Sequence, residues 1–291
     1  MKPSSFEYHA PETVEEAVEI LAQFGDSAKI LAGGQSLIPM LALRLTSFEH
    51  LVDLRRIRGL DSIDRRDGMV RVGAKVTESA VECSDEMAGA VPLVTRATPH
   101  IGHFQIRNRG TLCGSIAHAD PAAEYPAVAV ALGAEMEVIS RSGSRTVSAE
   151  DFFTGYWTTK LRADELLAAV TFPVWKGRRG FGFHEFARRH GDFALSGAAI
   201  GIEADADDRI TRCGIALIGM GSIPERARAA ESAVLQSKIG EVSAKELGRI
   251  AMSELESVPS DVHGSAAYRK RIGAAMVERA WQEAQSEVMN D

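Results

Sequence analysis

The chain has 291 residues, with 33 basic and 40 acidic side chains and a net charge of −7 at pH 7. An acidic chain is a poor candidate for binding nucleic acid through its phosphates, and we expect no nucleic-acid partner. No apolar run approaches the ~20 residues that a membrane-spanning helix needs, so no membrane span is expected. The first residues contain no apolar core of a signal peptide, which predicts a cytoplasmic protein.

The three cysteines, Cys83, Cys113 and Cys213, are far apart in the sequence and odd in number. This usage favours a reducing compartment. An all-cysteine iron–sulfur cluster takes four thiolates, so this chain cannot ligate one by itself.

The first predicted element is a helix that begins at a capping box formed by Thr13 and Glu16 and ends at Gly25. The other elements predicted in the first half are strands over residues 29–32, 50–54 and 165–172, an apolar segment over 36–45, hairpins around 67–68 and 142–143, and a helix over 121–133. The region 99–120 has little periodicity and reads as polar loops.

The stretch PVWKGRRG, residues 173–180, contains a proline, two glycines and three basic residues. We take it as a domain boundary that divides the chain into residues 1–176 and 177–291. The elements predicted after it are strands over 181–187, 194–203 and 210–219, then helices near 225–236, from Ser243 onwards and over 265–288. Strands followed by helices indicate a small α+β domain.

A first candidate binding loop is Ala32-Gly33-Gly34-Gln35-Ser36, which follows a predicted strand. Two glycines let the backbone turn sharply and leave N–H groups free, and such a nest binds phosphate oxygens. A Gly-Gly pair at the end of a strand is also common as a simple turn. If the loop is a nest, Gly33→Val should block it and remove the bound phosphate group while the fold stays largely intact.

A second candidate is TLCGSIAHAD, residues 111–120, because two such loops in one domain could hold the two phosphates of a dinucleotide. Asp120 has two interpretations: it accepts a hydrogen bond from a ligand, or it caps the helix predicted after it. Neither loop has the spacing of a Rossmann or P-loop motif. His100, His103 and His118 lack the spacing of a metal site, so no metal ligand and no catalytic residue are assigned.

Four segments give the chain a specific resemblance. AGGQSLIPMLALRL (32–45), QIRNRGTLCGSIAHADPAAEYPA (105–127), RRHGDFAL (188–195) and DVHGSAAYRKRI (261–272) are similar to the FAD-binding medium subunit of molybdenum hydroxylases, the xanthine dehydrogenase and carbon monoxide dehydrogenase family. The resemblance implies an α+β protein. Its first domain (1–176) would bind FAD and contain two α/β subdomains of the PCMH type. Its second (177–291) would be a small C-terminal flavoprotein domain with a three-stranded antiparallel sheet and helices.

The same resemblance implies a set of FAD-binding residues. In the first loop and at its flanks they are Lys29, Leu31, Ala32, Gly33, Gly34, Gln35, Ser36 and Leu37. In the second loop and after it they are Thr111, Gly114, Ser115, Ala117 and Asp120. Apolar neighbours of the cofactor would be Ile101, Leu166, Leu167 and Phe193.

The sequence departs from the family pattern at two places. Cys113 stands where the family usually has the first of two glycines, and a cysteine would be strained if that position required a positive φ. His184 and Glu185 occupy a stretch that often carries a lysine, so a lysine contact to the flavin is not carried over.

The function implied by the resemblance is electron transfer. A large partner subunit would hold the molybdenum cofactor, a small one would hold two [2Fe–2S] clusters, and this chain would pass electrons through FAD to NAD, a quinone or oxygen. A dimer of heterotrimers is expected. Two alternatives stay open: a free-standing FAD oxidoreductase of the vanillyl-alcohol-oxidase type, and a scaffold subunit that has lost its flavin.

Overall fold

The computed structural model describes residues 2–290 and begins with a small parallel sheet in the strand order β1-β3-β2. Its elements are β1 Glu7–His9, α1 Val14–Phe24, β2 Ala28–Leu31, α2 Leu37–Ala42 and β3 His50–Asp53. The predicted cap of α1 is confirmed, because the Thr13 hydroxyl accepts the N–H of Glu16 at 3.1 Å. Strand β1 was not predicted, since three residues are too few to show a period.

The second sheet is antiparallel, with the strand order β4-β5-β10-β6-β7. Its strands are β4 Ile63–Arg66, β5 Met69–Gly73, β6 Glu135–Ser140, β7 Gly143–Ser148 and β10 Leu166–Pro173, and a separate two-stranded ribbon contains β8 Phe153–Gly155 and β9 Thr158–Thr159. Both predicted hairpins are confirmed. Asp67 and Gly68 have φ values of +51° and +75°, as a type I′ turn requires.

Seven helices accompany this sheet within residues 2–290. They are α3 Glu78–Glu82, α4 Asp85–Ala90, α5 Pro92–Ala97, α6 Phe104–Arg107, α7 Leu112–His118, α8 Glu124–Leu132 and α9 Ala149–Phe152. The helix predicted over 121–133 is α8, which begins three residues later, and every one of its residues is buried. The region 99–120 was predicted as loops, and that was wrong, because α6 and α7 lie within it.

The carboxyl-terminal part is an antiparallel sheet covered by helices. Its elements are β11 Arg178–Phe186, β12 Ser196–Ala204, β13 Ile210–Ile218, β14 Glu225–Arg226, α10 Arg228–Val234, α11 Ala244–Ser253 and α12 Ala266–Asn290. The predicted three-stranded sheet has a fourth strand, β14, which pairs with the end of β13 over two residues. Helix α12 packs on β11 and β12.

The two parts of the chain share apolar packing. Phe181, Phe183 and Ala199 of the carboxyl-terminal sheet belong to the same buried cluster as the residues of α8. Helix α8 contacts β12 and β13, so it lies between the two sheets. None of the helices within residues 2–290 is both long and apolar enough to cross a bilayer.

Candidate functional site

The two candidate loops lie side by side at the carboxyl end of β2. A Cβ atom added to Gly33 would lie 2.1 Å from the carbonyl oxygen of Arg109 and 2.7 Å from the Cα of Gly110. A Cβ on Gly114 would lie 3.7 Å from the Cβ of Ala32. Gly33 is therefore required for backbone contact between the loops. This contact argues against the expectation that Gly33→Val would leave the fold largely intact, since a side chain here meets backbone atoms that would have to shift.

The first loop has the free N–H groups of a nest. The backbone N–H groups of Gly33, Gly34, Gln35 and Ser36 have no acceptor within residues 2–290. The turn is held by the Gln35 side-chain amide, which donates to the Gly33 carbonyl at 3.1 Å, and by the Ile38 N–H, which donates to the Gly34 carbonyl at 3.0 Å. Consecutive free N–H groups in such a turn form a concavity that binds anions.

The second loop is the first turn of a helix. Thr111 caps α7: its hydroxyl accepts the N–H of Gly114 at 3.0 Å and its carbonyl accepts the N–H of Ser115 at 3.0 Å. The N–H of Leu112 donates to the Val76 carbonyl at 3.2 Å. These N–H groups are used within the chain, so the second loop offers a ligand the Ser115 hydroxyl rather than an open nest.

Cys113 fits this helix without strain. It has no positive φ, and its side chain is buried, with the sulfur 3.5 Å from the Val72 carbonyl oxygen. Burial raises the pKa of its thiol to about 12. The departure from the family's Gly-Gly pattern therefore places a small, inert side chain in the core.

Asp120 makes two side-chain contacts within the chain, and its contact with a ligand stays a prediction. One of its carboxylate oxygens accepts the N–H of Ala122 at 2.9 Å, and the other accepts the indole N–H of Trp157 at 3.1 Å. It does not cap α8, whose N-cap is Ala123. The carboxylate positions Trp157, whose ring is exposed beside the second loop. Trp157 was not predicted, because a single tryptophan in a short ribbon carries no sequence signal.

Lys29 and His118 lie close enough for the charge of the lysine to act on the imidazole. The Lys29 ammonium lies 5.7 Å from the centre of the Phe48 ring. Burial lowers the pKa of His118; the charge of Asp120 opposes this effect, and that of Lys29 adds to it. The His118 ring stacks on Trp157 with an interplanar angle of 19°. Leu31, Leu37 and Ala117, the other predicted residues at the flanks of the loops, are half-buried.

The predicted apolar neighbours of the flavin fall into two groups. Phe193 is 69% exposed in the segment between β11 and β12, and His190 of that segment lies 5.7 Å, ring centre to ring centre, from His103, close to Ile101. Leu166 and Leu167 lie in the core on β10, exposed by only 1% and 4%. Their contact with a flavin stays a prediction that rests on the resemblance.

The carboxyl groups of Glu78, Glu124 and Glu185 are buried behind the second loop. The sequence analysis did not single out Glu78 or Glu124. Burial raises the pKa of Glu78 to about 7 and that of Glu124 to about 8, and the nearby Glu185 adds to the second effect. One carboxylate oxygen of Glu185 lies 3.5 Å from His100 Nδ1. The sequence signal that could have identified Glu124 is an acidic residue at the start of an otherwise apolar helix.

The arrangement fits a dinucleotide. The first loop supplies free N–H groups for phosphate oxygens, and the hydroxyls of Ser36 and Ser115, which have no partner within residues 2–290, supply further donors. Gly33 and Gly114 allow the two segments to approach closely enough to share one ligand.

Two family models match consecutive parts of the chain. A family model described as FAD binding domain in molybdopterin dehydrogenase matches residues 4–175, and one described as CO dehydrogenase flavoprotein C-terminal domain matches residues 181–284.

Individual proteins match along almost the whole chain. The 6-hydroxypseudooxynicotine dehydrogenase complex subunit alpha of Paenarthrobacter nicotinovorans is 38% identical over 279 residues, which cover 96% of this chain and 94% of that one. The structure of carbon monoxide dehydrogenase from Hydrogenophaga pseudoflava, which lacks the Mo-pyranopterin moiety of its cofactor, matches with a TM-score of 0.95 and 35% identity over 99% of both chains. Quinoline 2-oxidoreductase from Pseudomonas putida 86 matches with a TM-score of 0.92 and 38% identity, over 99% of this chain and 100% of that chain.

These matches confirm the resemblance, the fold and the cofactor. The two family models follow one another along the chain in the order predicted for the two domains. The chain belongs to the FAD-binding medium subunits of the molybdenum hydroxylases, oxidoreductases whose molybdenum and iron–sulfur centres lie on other subunits.

Proposed function

We propose that this chain receives electrons from the [2Fe–2S] clusters of a small partner subunit and passes them to a final acceptor, which is NAD, a quinone or oxygen. The FAD that it binds supplies the redox chemistry. A large partner subunit holds the molybdenum cofactor and hydroxylates the substrate. The three cysteines support this division, because they are too few to ligate an all-cysteine cluster.

The observation that carries the proposal is the row of free N–H groups at Gly33, Gly34, Gln35 and Ser36. In the proposed arrangement these groups bind the pyrophosphate of FAD, and the hydroxyls of Ser36 and Ser115 donate to the same oxygens. Asp120 acts through Trp157, which it holds at 3.1 Å.

Two domains would share the cofactor, one over residues 1–176 and the other over residues 177–291. The limits of the two matching family models, 4–175 and 181–284, support a boundary in this stretch. Phe193 lies beyond the boundary and is exposed, so it is the residue by which the second domain would reach the flavin.

The visible spectrum of the purified chain tests flavin binding in this protein. We expect flavin absorbance bands and release of FAD on acid precipitation, since the chain is expected to bind its flavin non-covalently. A colourless protein that takes up no FAD would favour the scaffold alternative. Flavin that stays with the acid precipitate would favour the vanillyl-alcohol-oxidase type.

Purification from the native source tests the partners. We expect two further chains, one with [2Fe–2S] clusters and one with the molybdenum cofactor, in equal amounts in a dimer of heterotrimers in the cytoplasm. If this polypeptide purifies alone, the heterotrimer is excluded.

A further inference from the structure

Two histidines and a glutamate converge on one face of the small parallel sheet, at the end away from the two loops. We propose that Glu7, His9 and His50 bind one divalent first-row transition-metal ion, such as Zn²⁺, which fastens β1 to β3. This site is independent of the proposed electron-transfer function.

The strand register places the three side chains together. Glu7 and His9 are two residues apart on β1 and therefore point to the same face of the sheet. His50 on β3 is the Cα partner of Glu7 in the parallel ladder. The backbone, rather than flexible loops, thus fixes the positions of all three potential ligands.

The distances between the ligand atoms match those around a tetrahedral ion. His50 Nδ1 lies 3.0 Å from His9 Nε2 and 3.4 Å from Glu7 Oε2. All three atoms lie within 4.8 Å of one another. With metal–ligand bonds of about 2.1 Å, neighbouring ligands of a tetrahedral zinc are about 3.4 Å apart.

Hydrogen bonds alone leave one of these contacts unsatisfied. His50 Nδ1 faces both His9 Nε2 and Glu7 Oε2, and this nitrogen carries at most one proton. If His50 Nδ1 is protonated and donates to one neighbour, it cannot donate fully to the other. If it is unprotonated and accepts a hydrogen bond from His9, it cannot donate to the Glu7 carboxylate, and the two acceptors repel each other. A cation satisfies all three atoms at once, and two imidazoles with one carboxylate are a zinc ligand set.

The surroundings hold the imidazoles and leave one coordination position open. The Phe24 ring stacks on His50 with centroids 3.6 Å apart and an interplanar angle of 19°, and this contact fixes the orientation of the imidazole. The His50 side chain is only 12% exposed, whereas that of Glu7 is 67% exposed. Water therefore reaches the cluster from the Glu7 side and can supply a fourth ligand.

The cluster lies apart from the flavin site. On β2 the Cα partner of His50 is Ala28, whereas Leu31, beside the first loop, pairs with Asp53. Three residues along a strand correspond to about 10 Å. Strand β1 has only three residues and pairs with β3 alone, so a metal bridge here would hold the amino-terminal strand in the sheet.

Zinc binding by the full chain, purified with its flavin, tests the proposal. The exposed Cys83 thiol can itself bind zinc, so all proteins carry Cys83→Ser. After treatment with a chelator and dialysis against ZnCl₂, we expect one zinc per chain by elemental analysis. His9→Ala and Glu7→Gln should each lower the zinc affinity, measured by calorimetry, at least about tenfold. Substitution of residues that only support a metal ligand already lowers the affinity by about this factor.

Two control variants, each of which removes a histidine outside the cluster, test whether zinc binds at the cluster rather than elsewhere. His263→Ala removes an exposed histidine outside the cluster, and His103→Ala breaks the other close pair of histidines, His103 and His190. Both should keep full zinc binding. Glu7 is exposed, so Glu7→Gln should keep the wild-type circular dichroism spectrum and flavin content.

The proposal is overturned if the Cys83→Ser protein retains no zinc, if Glu7→Gln and His9→Ala bind zinc as tightly as their parent, or if His103→Ala alone loses it. Loss of flavin from the preparation with zinc binding unchanged would count against the flavin site and leave the metal site standing.

Discussion

The segments 32–36 and 111–115 look alike in the sequence, but the structure gives them different tasks. Both contain glycine and small polar residues after a predicted break in regular structure. Within residues 2–290 the first is an open turn in which four consecutive N–H groups have no acceptor. The second is a capped helical turn in which the N–H groups of Leu112, Gly114 and Ser115 are bonded within the chain. Composition predicts that a segment can approach a phosphate, but the hydrogen-bond partners decide whether it can bind one.

The glycines of the two segments also differ in what they require. Gly33 lies against the backbone of Arg109, so it allows one segment to pack on the other. Gly114 lies against the Thr111 hydroxyl that caps its own helix. Neither glycine has a positive φ. Three of the four predictions below test this difference, and the other tests a buried carboxyl group behind the second segment; they begin with the largest expected effect.

Gly33→Ala should have the largest effect. Its Cβ would lie 2.1 Å from the Arg109 carbonyl oxygen, and such overpacking costs about 1–3 kcal/mol or more. We expect loss of most bound FAD, measured by absorbance, and a lower midpoint of thermal unfolding. Gly89→Ala is the control, because a Cβ there meets nothing within 4 Å. Full flavin content and stability in Gly33→Ala would contradict the observed contact between the segments.

Glu124→Gln should stabilise the protein increasingly as the pH rises. The pKa of Glu124 is raised by burial from 4.5 to about 8, so the folded chain binds a proton that the unfolded chain has lost between these values. Wild-type stability should therefore fall across this window by up to about 1.4 kcal/mol for each pH unit, and the glutamine variant should lack this contribution.

Urea unfolding at several pH values measures this difference. Glu256→Gln, at an exposed position, should unfold like the wild type. Equal pH dependence in the wild type and Glu124→Gln would show that Glu124 ionises normally. The stability of Glu124→Gln should still depend on pH to a smaller extent, because the pKa of Glu78 is also raised, to about 7.

Ser36→Ala should weaken FAD binding at least about tenfold, because hydrogen bonds to charged groups contribute about 1.5–3 kcal/mol. Ser115→Ala should have a similar or smaller effect, since most N–H groups of its segment are bonded within the chain. Titration of the flavin-free protein with FAD, followed by tryptophan fluorescence, measures both affinities. Ser144→Ala, on the exposed hairpin strand β7, is the control. A larger effect at Ser115 than at Ser36 would reverse the roles of the two segments.

Thr111→Ala should have the smallest effect, a loss of about 1 kcal/mol of stability, because it removes the cap of α7. Thr111→Ser keeps a hydroxyl and should restore most of it. Chemical unfolding of the two variants side by side is the measurement. If the serine variant were as unstable as the alanine variant, the methyl group of this buried residue and not its hydroxyl would matter.

Much of the fold follows from local sequence patterns. The capping box at Thr13, the Asp-Gly hairpin at residues 67–68 and the three long strands of the carboxyl-terminal sheet were predicted to within a few residues, since each depends on neighbours along the chain. Helices α3 to α7 were not predicted, because elements of four to seven residues show too little of a helical period.

The features of the candidate site also fall into those that the sequence predicts and those that only the structure shows. The sequence by itself determined the family and the cofactor, and it predicted the two segments that would bind it, because these depend on residue types in a fixed order. Only the tertiary structure decided that one segment is a nest and the other a helix cap, that Asp120 positions Trp157, and that Glu7 and His9 meet His50. The physical reason is that each of these results depends on contacts between segments distant in the chain, where burial and backbone packing fix the partners.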